Sequence, residues 1–187
     1  MTDNPRSIKR TIDAIRSAFA GDNSAAVQKI PKSRVIEWMK SPDLEVQGAL
    51  YAKLSERKYV ERIEPALEFD DYYTFVVPYL ERCIEVNPSS EWSDSRYIAG
   101  HQLVAWIMAF WNDNQVPRSK LTEIKDGLAA LYRRGDDGVR DAVTNAVLEH
   151  LFENRQLVTF FDEWQNDPLL VTAYRDALLW KKPKKKR

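Results

Sequence analysis

The stretch RRGDDGVRDAVTNAVLEHLFE, residues 133–153, decides how the chain is read. It breaks at Gly135, restarts on Asp136 and Asp137, and then sets Val139, Ala142, Val143, Ala146 and Val147 along one side of a helix. An aspartate ahead of an apolar run at helical spacing is a start signal, because its carboxylate accepts from the free N–H groups of the first turn. The stripe is apolar but small, which a helix needs where a neighbour approaches closely. Leu148 and Phe152 give it a second apolar face, so this helix is expected to lie sandwiched between layers.

Outward from this element the spacing remains helical, and no stretch alternates apolar and polar residues in the manner of a strand. Ile8, Ile12, Ile15 and Phe19 share one face of a first helix that should end at Gly21. A short helix is expected near 24–30, stopped by Pro31, with Ser33 capping the next turn. Further helices are expected after Pro42, from Asp70 or Asp71 to Val86 around Pro78, and from a Ser93 or Asp94 cap to Trp111. The last of these is apolar nearly all round and is expected to be central, with Val104 and Ile107 buried beside Val139, Val143 and Val147. Pro117 opens a helix that ends at Gly135, and 136–153, 155–165 and 168–180 complete the set. The expected fold is all-α, an irregular α-solenoid or compact helical stack of eight to nine helices, with 1–180 as one domain and 181–187 as a disordered basic tail.

The opening stretch has an earlier partner. Val46, Ala49, Leu50, Leu54 and Glu56 match Val139, Ala142, Val143, Val147 and Glu149 at a constant offset of 93 residues. Helical repeats of about 40–47 residues would place two periods in that interval. Asp136 or Asp137 with Val139, Arg140, Ala142, Val143 and Ala146 resembles the HEAT-repeat family, in which an acid caps the second helix of each pair. Gln47 departs from that pattern where Arg140 keeps it. Residues 147–180 resemble the C-terminal segment of a bacterial α-helical family of unknown function, through Glu149, His150, Phe161, Trp164, Asp167, Pro168, Tyr174 and Trp180. That resemblance implies a class of partner, a toxin to be neutralised, rather than an activity.

Composition narrows the functional classes. The longest apolar run, LVAWIMAFW at 103–111, is far short of the roughly 20 residues that cross a bilayer, so no membrane partner is expected. A single Cys83 cannot form an intramolecular disulfide, and the N-terminal sequence lacks the apolar core of a secretory signal, which points to the cytoplasm. His101, His150 and Cys83 lack metal-ligand spacing, and no phosphate loop or nucleophile elbow is present. No metal, cofactor or catalytic residue is therefore assigned, and the protein is not expected to be an enzyme. Both histidines read as core or interface residues.

The formal charge of zero conceals an asymmetry. KKPKKKR, residues 181–187, carries six positive charges, whereas residues 61–94 hold nine acids against Arg62 and Arg82. Such a tail would bind nucleic acid weakly and non-specifically, while an acidic body repels it. The acidic window also holds aromatics, and aromatic rings among charges of one sign are the composition of a steered protein interface. Glu68, Asp70, Asp71, Tyr72, Tyr73, Glu91, Trp92 and Asp94 are the candidate partner-binding residues. The expected function is a non-enzymatic protein-binding module of immunity or antitoxin type, holding a basic partner. The competing reading is a HEAT-like nucleic-acid-binding or base-repair protein.

Overall fold

The computed structural model describes residues 4–20 and 28–180. The fold is all-α: among the described residues about three quarters is helical, in ten helices, and strand is confined to one bridge of two residues on each side. The chain gathers into two compact units, residues 1–79 with 88–94 and residues 80–87 with 95–187. The expected basic tail, the helix near 24–30 up to residue 27, and a stop at Gly21 lie outside the described residues.

In the first unit, α1 (Pro5–Phe19) starts as the sequence dictates, with Asn4 accepting from the Arg6 N–H and proline in the first turn. It buries Ile12, Ile15 and Phe19, while Ile8 is half-exposed. The Phe19 ring meets Tyr59 edge-on at 5.6 Å. Ile30–Pro31 (β1) pairs in parallel with Ile63–Glu64 (β2), so the segment ahead of Pro31 is extended where a helix was expected. Ser33 caps nothing: α2 (Lys32–Met39) has Pro31 at its N-cap and no side-chain acceptor there. Next come α3 (Leu44–Leu54) and α4 (Arg57–Val60). The first part of α5 (Phe69–Val86) closes the unit, with Pro78 at an exposed mid-helix position.

Arg62 ties this unit together. Nearly all of its surface is buried, and its guanidinium donates to the carbonyls of Ala18, Phe19, Ala20 and Gln28 at 2.9–3.3 Å. These acceptors include the free carbonyl end of α1, the negative pole of a helix, which is where a buried cation is best accommodated.

The second unit holds the end of α5, then α6 (Arg96–Asn112), α7 (Arg118–Arg134), α8 (137–151), α9 (Arg155–Phe160), a 3₁₀ turn (Asp162–Asn166) and α10 (Leu170–Trp180). Asp136 caps α8 by accepting from the Val139 N–H at 2.8 Å. Asp43 caps α3 in the same way, accepting from Val46 N–H at 3.2 Å. The two caps and the two valines stand at the same offset of 93, so the repeated sequence builds the same helix start twice.

Within α8, residues Ala142–Leu148 form a π-helical segment, in which Glu149 N–H reaches back five residues to the Thr144 carbonyl. The Thr144 hydroxyl donates to the Arg140 carbonyl at 2.9 Å at the start of this segment. The small stripe works as anticipated. A Cβ on Gly100 of α6 would stand 2.7 Å from Ala146 Cβ, so backbones meet here at a distance only glycine and alanine permit. On its other side α8 packs against α10, where Phe152 meets Tyr174 edge-on at 5.1 Å.

Two expectations for α6 need correction. Its cap is Ser95 without a side-chain bond, because Asp94 is turned to Tyr79 instead. Only one face is buried, through Ala99, Gly100, Leu103, Ile107 and Phe110. Val104 is half-buried and Tyr97 and Ile98 are about half exposed. An all-round apolar sequence here leaves apolar surface uncovered rather than marking a central helix.

Candidate functional site

All eight candidate residues fall in the first unit, but their environments separate them. Tyr73 is buried in the core and unavailable to a partner. Asp94 is half-buried and internal: it accepts from the Tyr79 hydroxyl at 3.2 Å, which in turn accepts from the Asp94 N–H. Burial pushes the Asp94 carboxyl above its ordinary value, against the pull of that hydrogen bond. Tyr72 is half-buried, and burial together with the Asp71 charge raises its hydroxyl to about 12. Tyr73 and Asp94 are therefore structural.

Asp71 caps the start of α5 by accepting from the Glu68 N–H at 2.8 Å and binds Lys32 Nζ at 2.6 Å. Burial works to raise its carboxyl, and the Lys32 and backbone hydrogen bonds override this and hold it below the ordinary value. Glu68 is exposed and lies 3.9 Å from the same Lys32. The excess negative charge of 61–94 is thus largely answered by cations from outside the window. Arg57 sits on Glu61 at 2.7 Å, Lys29 near Glu64 at 3.9 Å, and Arg134 on Glu85 at 2.8 Å. Asp70 and Glu91 have no ion-pair partner among the described residues.

Glu91 and Trp92 line an open groove of about 420 Å³ along α1. Its apolar wall is Pro5, Ile8, Ile12 and the Trp92 ring, and its rim carries Lys9, Asp13 and Arg16 from α1 with Glu45 from the start of α3. The Arg16 guanidinium stands over the Trp92 ring at 5.4 Å, held on the other side by Asp13 at 4.0 Å. A cation over an indole face is attracted by the ring quadrupole, so this ring is in place to receive positive charge. The groove depends on Gly48: a Cβ there would stand 1.9 Å from the Trp92 carbonyl oxygen and 2.9 Å from Ser93 Cα. Only a residue without a side chain lets the Trp92 loop lie on α3.

The histidines are not core residues. His101 and His150 are both exposed, with ring centroids 4.8 Å apart, and His150 Nδ1 is 3.7 Å from Glu153. Among the described residues no group of three or more His, Cys, Asp and Glu is placed to hold a metal ion, and no helix is long and apolar enough to cross a membrane. No family model, curated protein or solved structure matches the chain.

Sequence reading missed the part α1 plays here. Ile8 was assigned to the core stripe, yet it is the half-exposed end of that stripe that forms the groove wall. The signal was present in the run of Arg6, Lys9, Arg10 and Arg16 against the single Asp13, which marks α1 as a basic surface helix.

Proposed function

We propose that the protein is a non-enzymatic binding module that holds a basic protein segment in the groove beside Trp92. The observation that carries the reading is the Trp92 ring with a cation already over it, next to a Glu91 carboxylate with no ion-pair partner among the described residues. A partner arginine or lysine would stack on the same ring and pair with Glu91, while an adjoining apolar side chain fills the space against Ile8 and Ile12. An anchor in an apolar pocket with charge at the rim is the usual division of labour in a protein interface. Glu45 on the same rim adds negative charge that favours a basic partner over an acidic one. The C-terminal resemblance directs that partner toward a toxin, and the HEAT-like repeat of Asp43 and Asp136 is the scaffold reading that accompanies it.

Affinity capture with the full chain, run in parallel on the wild type and on the Glu91→Lys and Trp92→Ala variants, tests the reading. A basic protein held by the wild type, released by about 0.5 M salt and lost from both variants, supports it. A partner captured equally by all three forms places recognition elsewhere and sinks it.

A further inference from the structure

A second groove runs along the opposite set of α1 side chains, between α1 and α2, and its chemistry differs. It has a volume of about 550 Å³, within the range of about 300–1,000 Å³ that accommodates small ligands. Arg10 enters it from α1 and Arg34 from the first turn of α2, with the hydroxyls of Ser7 and Ser33 beside them. Neither arginine has a carboxylate partner among the described residues. Arg34 is instead steadied by the Trp38 ring at 5.1 Å, which orders the guanidinium without neutralising it. The Thr11 hydroxyl is already donated to the Ser7 carbonyl at 3.1 Å, so it forms wall rather than donor. No side chain caps α2, so the N–H end of that helix, with its partial positive charge, is left without a side-chain acceptor beside Ser33 and Arg34.

We infer that this groove is a binding site for a phosphorylated small molecule, its phosphate monoester held between Arg10, Arg34 and the start of α2. Two guanidinium forks and two free hydroxyls line the one groove, a set of donors that suits the several oxygens of a terminal phosphate better than a phosphodiester. The groove exceeds the size of a phosphate and contains one carboxylate, Glu37. That group repels a bare anion and accepts from a hydroxyl, so the ligand carries hydroxyl groups next to its phosphate, as a sugar phosphate does. The inference is independent of the Trp92 groove and shares none of its lining residues.

Titration of the full chain at low salt with ribose 5-phosphate, inorganic phosphate and a dinucleotide bearing only a phosphodiester, followed by calorimetry and ³¹P NMR, tests it. Ribose 5-phosphate should bind best and the dinucleotide worst, and binding of the monoester should tighten from pH 5 to pH 8 as it gains its second charge near pH 6. Arg10→Gln and Arg34→Gln should each weaken ribose 5-phosphate by about tenfold or more without moving the melting temperature. Glu37→Gln should act with the opposite sign, strengthening inorganic phosphate severalfold while eroding the preference for the sugar phosphate. No saturable binding of either monoester, binding indifferent to both arginine substitutions, or a dinucleotide that binds as well as ribose 5-phosphate would each overturn the assignment. The last result would mark a nucleic-acid backbone surface instead.

Discussion

Gly127 of α7 faces the carboxylate of Glu81 so closely that a Cβ on the glycine would lie 2.2 Å from Oε1. The glycine makes room for a carboxyl that burial has pushed from an ordinary value near 4.5 up to about 7, with Arg134 pulling it down and Glu85 pushing it further up.

Folded protein therefore binds a proton at Glu81 that unfolded protein does not, between about pH 4.5 and 7. The stability this group contributes is complete below about pH 4.5 and is lost as pH rises toward 7, a change on the order of 1–3 kcal/mol. Glu81→Gln should match the wild type at pH 4 and exceed it at pH 8. Urea midpoints measured from pH 4 to 8 check this, and parallel curves for the two proteins would refute it.

Asp167 has the opposite sign. It accepts from Arg133 Nη2 at 2.7 Å and from the N–H groups of Leu169 and Leu170 at the start of α10, which together hold its carboxyl down to about 2. Its contribution is present above the ordinary carboxylate range and fades as pH falls from about 4 toward 2. Asp167→Ala should lower the melting temperature at pH 7 and flatten the acid side of the stability profile. An unchanged acid limb in the variant would mean that the cap contributes nothing.

Gly48→Ala tests the support of the Trp92 groove. The obstructing atoms are backbone, so they cannot swing aside as a side-chain tip would. The variant should lose about 1–3 kcal/mol and shift the Trp92 indole signal in ¹H–¹⁵N spectra, whereas Ala49, a close neighbour already bearing a methyl group, tolerates its own. A variant with wild-type stability and an unmoved indole resonance would show that the loop does not rest on α3.

Val143→Asp, at a position with no exposed surface, would bury an unpaired charge at a cost of several kcal/mol, enough to unfold a domain stabilised by roughly 5–15. Ala105→Asp, on the exposed face of α6, should cost less than about 1 kcal/mol. Asn145→Asp would not serve as a control within α8, because the Asn145 amide donates to Asp141 and an aspartate there would set two carboxylates together. Circular-dichroism melts of the two variants should differ widely; equal melts would mean that the buried face of α8 is misassigned.

What the sequence yielded, and what it withheld, follows from the range of the forces involved. The capped starts at Asp43 and Asp136 and the small stripe of α8 were legible, since caps and periodicity are local. The π segment was not: over seven residues its spacing of apolar positions barely differs from that of an α-helix. α6 was misjudged because apolar composition records what a helix could bury and not what its neighbours supply. The candidate site suffered most, since the pairing of Lys32 with Asp71 and of Arg134 with Glu85 joins residues far apart in the chain. Counting charges along the window therefore overstated the field that a partner would meet.

Arg62 gives the first unit a property that no single helix has. Its side chain grips the last carbonyls of α1, and its own carbonyl accepts the Ile30 N–H at 2.8 Å, so the end of α1 and the lead-in to α2 hang on one residue. In native-state hydrogen exchange, amides of the last turn of α1 and the amide of Ile30 should open together with a common free energy. Arg62→Lys keeps the charge but loses the fork of donors, and should let the two segments exchange as separate foldons, with α1 opening first. Both proposed grooves are walled by α1, and their occupancy would then be felt at Ile30, as slower exchange at a residue that lines neither.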